Sequence, residues 1–180
     1  MLDMKGGGNI FLVGMMGAGK TTVGRLLARR LRLRFVDSDR EIESRCGVKI
    51  PVIFEIEGEA GFRARETLAI EALTVLDGIV LATGGGAVLA EQNRRHLAAR
   101  GTVVYLSAKP EDLYDRVRHD RNRPLLAGGE PLSRLRDLHA QRDHLYRGIA
   151  DIVLETGAQS VQALARQLLD RLETEWKASA

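Results

Sequence analysis

The chain has a single cysteine, Cys46, few aromatic residues and no long apolar run among its 180 residues. One thiol cannot form an intramolecular disulfide, and a reducing compartment fits that composition. No run of about 18 apolar residues is present that could span a bilayer. Residues 1–8 are glycine-rich and lack the apolar segment of a secretion signal. These absences predict a cytoplasmic protein that has no membrane partner.

Neither sign of charge dominates the chain. The formal net charge is +3 with 28% charged residues, and basic residues are not interleaved with aromatic ones along any segment. The arginines near residues 116–123 form a local cluster, which a small anionic substrate explains as well as a polyanion does. We therefore expect no nucleic acid partner. The length of 180 residues predicts one domain, 1–180, with a core of ordinary size.

A phosphate-loop pattern is the most informative feature that is present. Residues 14–21, GMMGAGKT, fit G-x-x-x-x-G-K-[ST] at every fixed position, between an apolar run and a segment with helical spacing. Glycines let successive N–H groups point at phosphate oxygens, and the helix N-terminus adds its positive dipole end. The pattern predicts that Lys20 reaches the β- and γ-phosphates of a nucleoside triphosphate and that the Thr21 hydroxyl ligates Mg²⁺. A plain glycine turn would not require Lys-Thr after the last glycine.

Apolar periodicity predicts an alternation of strands and helices. The predicted strands are 10–13, 35–36, 79–82, 102–106 and 152–154. The predicted helices are 21–31, 40–46, 51–57, 59–76, 91–99, 110–118, 132–146 and 160–176. Strands separated by helices imply right-handed crossovers and a parallel sheet that helices cover on both faces. The fold class is therefore predicted to be α/β, a three-layer α/β/α domain with a five-stranded parallel sheet.

Prolines and glycines interrupt this alternation after the fourth strand. The segment at about 119–131 is poor in apolar residues and contains Pro124, Gly128, Gly129 and Pro131. We predict a mobile lid there. An arginine on such a loop could close over the γ-phosphate, neutralise developing charge and exclude water. Arg123, beside Pro124, is the candidate, while most arginines of the cluster are predicted to be solvated.

Two carboxylates follow the second predicted strand, at the edge where open α/β sheets place their ligands. In Asp37-Ser38-Asp39, one carboxylate could orient waters on Mg²⁺ and the other could draw the proton from a substrate hydroxyl. The third strand ends in Ala82-Thr83 without the acidic residue of a usual Walker B motif, so Asp37 is the candidate carboxylate on the metal side. The alternative is an ordinary N-cap of the following helix.

Arginines in two predicted helices are candidate anion binders. Glu59, Arg63 and Glu66 share one helix face, so Glu66 could orient the Arg63 guanidinium toward a substrate carboxylate. An exposed ladder of ion pairs is the alternative there. Arg142 is a second candidate, although the local sequence by itself favours an arginine on the helix surface.

Three consecutive glycines, Gly84, Gly85 and Gly86, lie between a predicted strand and a predicted helix. Such a run costs folding entropy, so a close approach of the backbone to a ligand is a reasonable explanation. A plain loop is the alternative.

Together these residues resemble the shikimate kinase family over nearly the whole chain. The resemblance rests on the phosphate loop, Asp37-Ser38-Asp39, Ile53-Phe54-Glu55 with Glu57-Gly58-Glu59, Phe62-Arg63 with Glu66, the three glycines, Arg123-Pro124-Leu125-Leu126, and Arg142 with Leu145-Tyr146. It implies ATP-dependent phosphorylation of the 3-hydroxyl of shikimate on the route to chorismate and aromatic amino acids. It also implies Mg²⁺, a P-loop nucleoside-monophosphate-kinase-like fold and a monomer.

The same resemblance implies a role for each matching position. Asp39 is the implied base, and the implied catalytic residues are Lys20, Asp39 and Arg123. A helical region at about 38–66 would bind shikimate, whose contacts are Asp39, Arg63, Gly84, Gly85, Gly86 and Arg142. Thr21 would ligate Mg²⁺ with Asp37 behind it through water. The implied nucleotide contacts are Gly17, Ala18, Gly19, Lys20, Thr21, Thr22, Arg116 against adenine, Arg123 on the lid and, least specifically, Gln159.

Two other classes stay open. A kinase of another small polyol or of a nucleotide would share the phosphate loop without needing paired arginines for a carboxylate. A switch-type nucleotide-binding protein would keep Lys20 and Thr21 but could dispense with Asp39. The chain contains no Asn-Lys-x-Asp string, which disfavours a GTPase, and no His-Arg-Asp or Asp-Phe-Gly motif, which excludes a protein kinase. Cys46 has no supporting histidine motif that would favour a nucleophile.

Overall fold

The structure is a computed structural model that describes residues 8–118 and 130–178, with the side chains described up to residue 175. Its strands are β1 (Ile10–Val13), β2 (Arg34–Asp37), β3 (Ile79–Ala82), β4 (Thr102–Ser107) and β5 (Ile152–Glu155). Its helices are α1 (Lys20–Leu31), α2 (Ser38–Cys46), α3 (Ile50–Thr74), α4 (Glu91–Arg100), α5 (Pro110–Val117), α6 (Pro131–Ile149) and α7 (Val161–Ala178). One short 3₁₀ turn, Ala87–Leu89, was not predicted.

The five strands form one parallel sheet in the order β2-β3-β1-β4-β5, which confirms the predicted sheet. In its centre, Phe11 of β1 lies opposite Leu81 of β3 and Val103 of β4. Every residue of these three strands is buried. Because successive side chains of a strand face opposite sides, both faces of the sheet must be covered. Helices α1 and α7 pack together, and α3 packs on α4, which completes the three layers.

Most element boundaries shift by only a few residues from the prediction, as helix and strand ends commonly do. The predicted separation of helices 51–57 and 59–76 is confirmed within α3, because Gly58 has φ 69° and ψ −177°. That backbone conformation is open to glycine and not to other residues, so the helix axis breaks there. The largest difference between a predicted and an observed boundary is at the end of α6, which continues past the predicted residue 146 to Ile149.

A second, smaller apolar cluster joins α2 to α3 beside the main core. Its buried members are Ile42 of α2 and Ile53, Phe62 and Ala69 of α3. This cluster holds the two helices next to the carboxyl end of the sheet. The loops that follow β1, β2 and β3 emerge at that same edge, because neighbouring parallel strands end together. None of the helices in the described ranges is long and apolar enough to cross a membrane.

Candidate functional site

The phosphate loop needs glycine for conformation and for space. Gly14 and Gly17 have φ values of 145° and 80°, in the region that side chains disfavour. A Cβ atom on Gly14 would lie 2.6 Å from the Leu106 carbonyl oxygen, and one on Gly17 would lie 2.7 Å from Val117 Cγ1. The loop is therefore packed tightly between β4 and α5. This packing keeps its backbone curled at the N-terminus of α1.

Lys20, the first residue of α1, turns back across the loop and is only 9% exposed. Its Nζ donates to the carbonyl oxygens of Gly14 at 2.6 Å and Met15 at 2.8 Å. The side chain lines a cavity of about 340 Å³, the phosphate cavity. Most of the predicted nucleotide contacts meet in this cavity, whose walls also include Gly17, Gly19, Thr21, Thr22 and Arg116. The exceptions are Ala18, Arg123 and Gln159. Ala18 is buried within the loop itself.

Asp37 serves both as helix cap and as partner of the phosphate loop. Its Oδ1 accepts from the backbone N–H groups of Asp39 at 3.0 Å and Arg40 at 3.2 Å, which confirms the N-cap alternative. Its Oδ2 accepts from the Thr21 hydroxyl at 3.1 Å. A hydroxyl and a carboxylate oxygen are ligands that Mg²⁺ prefers, so these residues fit the ion. Among residues 8–118 and 130–178, no group of three or more His, Cys, Asp or Glu side chains is arranged to hold a metal ion.

A larger cavity of about 550 Å³, the acceptor cavity, lies next to the phosphate cavity. The two share Met16, Thr21, Asp37, Asp39, Gly84 and Gly85. Its remaining walls come chiefly from α2 and α3, including Phe54 and Phe62, whose ring centroids are 4.8 Å apart. Asp39 therefore lies where the phosphate cavity and the acceptor cavity adjoin. This arrangement suits transfer of a phosphoryl group from one cavity to a molecule in the other.

Arg63 and Glu66 form the predicted pair on the acceptor side. Arg63 Nη1 lies 2.8 Å from Glu66 Oε1, and Nη2 lies 3.3 Å from Glu59 Oε1. Glu66 is only 1% exposed, so the inner pair is not an exposed ladder. Burial raises the pKa of the Glu66 carboxyl, while the positive charges of Arg63 and Arg142 oppose that rise. The outer pair with Glu59, whose side chain is 52% exposed, keeps the exposed part of that ladder. Arg65 forms a separate surface pair with Glu57 at 2.6 Å.

Arg142 is buried, at 2% exposed, so the local expectation of an arginine on the helix surface was wrong. The side chain reaches from α6 into the acceptor cavity. Its Nε and Nη1 are buried and have no hydrogen-bond partner among residues 8–118 and 130–178. A buried charge with unsatisfied donors is costly, and a bound anion would offset that cost. Helix periodicity alone could not reveal this, because the covering residues come from distant segments.

None of the three glycines has a positive φ in the structure, so backbone conformation does not explain them. Two of them, Gly84 and Gly86, are crowded by charged side chains, while a Cβ atom on Gly85 would make only ordinary contacts at 3.4 Å or more. A Cβ atom on Gly84 would lie 2.8 Å from both Asp39 Oδ1 and Glu66 Oε2. No more than twice that distance therefore separates the two carboxylate oxygens. A Cβ atom on Gly86 would collide with the Arg63 guanidinium. The sequence suggested a close approach to a ligand, and the structure adds a close approach to charged side chains.

The remaining nucleotide candidates divide into three cases. Arg116 joins the phosphate loop to the connection after β5, since its Nη1 and Nη2 donate to the carbonyl oxygens of Gly17 and Gly157, each at 3.1 Å. Gln159 accepts from the Gly157 N–H at 3.1 Å and lines a different cavity, so it is not brought to the phosphate loop. Arg123 lies outside the described residues, together with the rest of residues 119–129 of the predicted lid.

Two residues in the site were assigned no function in the sequence analysis, although both stand within its motifs. Ser38 is fully buried, and its Oγ accepts from the Gly84 N–H at 3.0 Å. Tyr146 is also fully buried, and its hydroxyl donates to the Gly85 carbonyl oxygen at 2.5 Å. Helical spacing places Tyr146 on the same face of α6 as Arg142. That spacing, and the position of Ser38 between two candidate carboxylates, are the signals that could have identified them.

Comparison with known proteins agrees with this geometry. The family model described as shikimate kinase matches residues 16–173. A shikimate kinase of Thiobacillus denitrificans is 61% identical over 165 residues, which cover 92% of this chain and 90% of that protein. One of Nitrosococcus oceani is 62% identical over 164 residues, covering 91% and 86%.

A solved structure of a shikimate kinase has the same fold as this chain. Shikimate kinase from Acinetobacter baumannii, in complex with shikimate, superposes with a TM-score of 0.92 at 49% identity, covering 93% of this chain and 94% of that one. The predicted P-loop nucleoside-monophosphate-kinase-like architecture is thereby confirmed. By the family match and by these identities, the chain belongs to the shikimate kinase family.

Proposed function

We propose that the chain transfers the γ-phosphoryl group of ATP to the 3-hydroxyl of shikimate, which yields shikimate 3-phosphate and ADP. The reaction is the one implied by the family. The single observation that carries the proposal is the buried Arg142, which faces a cavity shared with Arg63 and bordered by Asp39. A small acid that also bears hydroxyl groups matches two cations on one side and a carboxylate on the other.

Arg142 and Arg63 are proposed to hold the substrate carboxylate. A planar guanidinium offers paired N–H donors that match a carboxylate, and desolvation strengthens such contacts. Arg142 keeps buried donors on Nε and Nη1 for an anion. The hydrogen bond from Arg63 Nη1 to Glu66 fixes the plane of the guanidinium. The backbone of Gly84, Gly85 and Gly86 would complete this wall of the site.

Asp39 is proposed to be the base that draws the proton from the 3-hydroxyl. It lines both cavities, so it borders the path between the phosphates and the acceptor. A carboxylate in that position hydrogen-bonds the attacking hydroxyl, orients its oxygen toward the phosphorus and accepts its proton as transfer proceeds. The N-cap bonds of Asp37 fix the start of α2 and thereby the backbone position of Asp39.

The phosphate cavity is proposed to hold ATP. Backbone N–H groups from Gly17 to Thr22 would bind its phosphates, with the Lys20 ammonium on the β- and γ-oxygens. Arg116 would pack against adenine, and its bonds to the carbonyls of Gly17 and Gly157 hold it between the phosphate loop and the β5–α7 connection. Gln159, which lines a different cavity, is a further proposed nucleotide contact. Arg123 on a lid at about 119–131 stays a prediction.

Thr21 and Asp37 are proposed to hold Mg²⁺, Thr21 directly and Asp37 through water. The ion would offset negative charge on the β- and γ-phosphates during transfer. The hydrogen bond from the Thr21 hydroxyl to Asp37 Oδ2 holds these two residues next to each other. The single domain, the helical substrate-binding region at about 38–66, the monomeric state and the cytoplasmic location also stay predictions.

A panel of acceptors tests the proposed function. We expect ADP release with ATP to have the highest kcat/KM for shikimate among shikimate, quinate, gluconate and nucleoside monophosphates. The reason is that two arginines favour a carboxylate, while the glycine wall limits the shape of the acceptor. Higher kcat/KM with gluconate or a nucleoside monophosphate would instead support a kinase of another polyol or nucleotide. ATP binding without transfer to any acceptor would support a switch-type protein.

Arg63→Ala is expected to raise the KM for shikimate strongly and to leave ATP binding near normal. The substitution removes a charge-assisted contact and leaves the buried Glu66 without its hydrogen-bond partner. The expected loss is about 2–4 kcal/mol. Steady-state kinetics with shikimate and with methyl shikimate measure it. Wild type should use the ester poorly, and Arg63→Ala should add little to that defect because the ester lacks the anion.

The exposed Arg65 offers a matched control for that substitution. It lies two residues away on the same helix and pairs with Glu57 at the surface. Arg65→Ala should leave the KM for shikimate unchanged. If Arg63→Ala penalised the ester as heavily as the acid, Arg63 would be holding the helix together and not binding the carboxylate.

A further inference from the structure

The glycine loop, Gly84 to Gly86, forms part of the acceptor cavity but has no side chains of its own to hold it in place. Three successive glycines have more backbone freedom than any other tripeptide. We propose that Ser38 and Tyr146 are positioning residues that hold the glycine loop in the shape that accepts shikimate. The inference rests on the proposed function, because it concerns binding of that acceptor.

Ser38 holds the loop from the side of α2. It is the first residue of that helix and is fully buried, and its Oγ accepts from the Gly84 N–H at 3.0 Å. A Cβ atom on Gly84 would lie 2.8 Å from Asp39 Oδ1, so the loop and the carboxylate are packed closely. The Ser38 hydroxyl therefore sets the distance between the loop backbone and the residue proposed as the base.

Tyr146 holds the next residue from the side of α6. Its hydroxyl donates to the Gly85 carbonyl oxygen at 2.5 Å, and its ring stacks on Tyr105 with centroids 4.9 Å apart. Burial raises the pKa of the Tyr146 phenol to about 12, so the group stays protonated and can donate throughout the neutral range. Because Arg142 lies one helical turn away on α6, one helix positions both the arginine and the loop.

The two contacts act on the central part of a segment whose flanks are anchored separately. The Thr83 hydroxyl donates to the Leu12 carbonyl oxygen at 3.0 Å. The Asn93 side-chain amide donates to the Ala87 carbonyl oxygen at 2.9 Å. Between these anchors, the Ser38 hydroxyl accepts a hydrogen bond from the Gly84 N–H, and the Tyr146 hydroxyl donates one to the Gly85 carbonyl oxygen. A loop held in its binding shape spares the substrate the entropy cost of ordering it.

Tyr146→Phe and Ser38→Ala test the inference, because each removes one hydroxyl and keeps the packing. Each is expected to raise the KM for shikimate about five-fold, the scale of one hydrogen bond. The KM for ATP should not change. Kinetics with either substrate held saturating, together with thermal unfolding, measure these effects. If one variant fails to fold, the other still decides the outcome.

Tyr105→Phe is the matched control. Tyr105 is an equally buried tyrosine in the same stack, but its hydroxyl donates to Asp143 at 2.8 Å and does not contact the glycine loop. We expect a similar fall in Tm and no change in the KM for shikimate. An unchanged KM in both test variants, or an equal rise in the control, overturns the inference. Wild type that does not phosphorylate shikimate at all overturns the proposed function instead.

Discussion

Replacing Lys20 by methionine is expected to lower kcat by about 10³-fold while the protein remains folded. The substitution keeps a side chain of similar length and removes the positive charge that the transferring phosphoryl group requires. Loss of one preorganised donor at a developing charge typically lowers kcat by about 10²–10³-fold. The upper end applies because Lys20 carries a full charge and is only 9% exposed, where water screens it weakly. A coupled assay of ADP release measures the effect.

The structure also predicts a small loss of stability in this variant. The Lys20 ammonium donates to two carbonyl oxygens of the phosphate loop, and methionine leaves those oxygens without that donor. Tm should therefore fall by a few degrees. Lys109→Met, at an exposed position before α5, is the control and should keep both activity and Tm. Activity near wild type in Lys20→Met would contradict the assignment of the phosphate loop.

Asp39→Asn is expected to lower kcat by about 10²-fold or more, the usual scale for loss of a general base. Asparagine keeps the shape of the side chain but does not accept the proton of the acceptor hydroxyl. ATP affinity should survive, since the proposed contacts of Asp39 are to shikimate. Steady-state kinetics and direct titration with ATP separate the two quantities.

The control for that substitution is Asp77→Asn, which changes an exposed carboxylate away from both cavities. It should behave like wild type in kcat and in ATP affinity. A collapse of ATP affinity in Asp39→Asn with kcat retained would assign Asp39 to the nucleotide or to the metal. Asp39 would then replace Asp37 on the metal side, or share that role with it.

Local sequence was sufficient for the elements and for the phosphate loop. Buried strands of a parallel sheet are continuous apolar runs, so β1, β3 and β4 could be recognised without partners. The pattern from Gly14 to Thr21 requires backbone conformations that its own glycines allow. The helix break at Gly58 and the cap at Asp37 depend on neighbouring residues only. All of these features arise from interactions within a few positions of the chain.

The environment of each charged side chain depended on segments that are distant in sequence. On periodicity alone Arg142 belonged to the helix surface, yet the fold buries it in a cavity built from α3, the glycine loop and the phosphate loop. The local sequence offered it as a candidate anion binder, but only the family resemblance favoured that role over the helix surface. Likewise Glu66 is an unremarkable helix residue until burial beside Gly84 raises its pKa.

Short-range spacing was enough to predict the succession of strands and helices along the chain and to identify the phosphate loop. Which side chains meet depends on how these elements pack. Ser38 and Gly84 are 46 positions apart, and Tyr146 and Gly85 are 61 apart, yet each pair shares a hydrogen bond. No local pattern encodes such contacts, because they form only when parallel strands end at one edge and the helices pack against that edge.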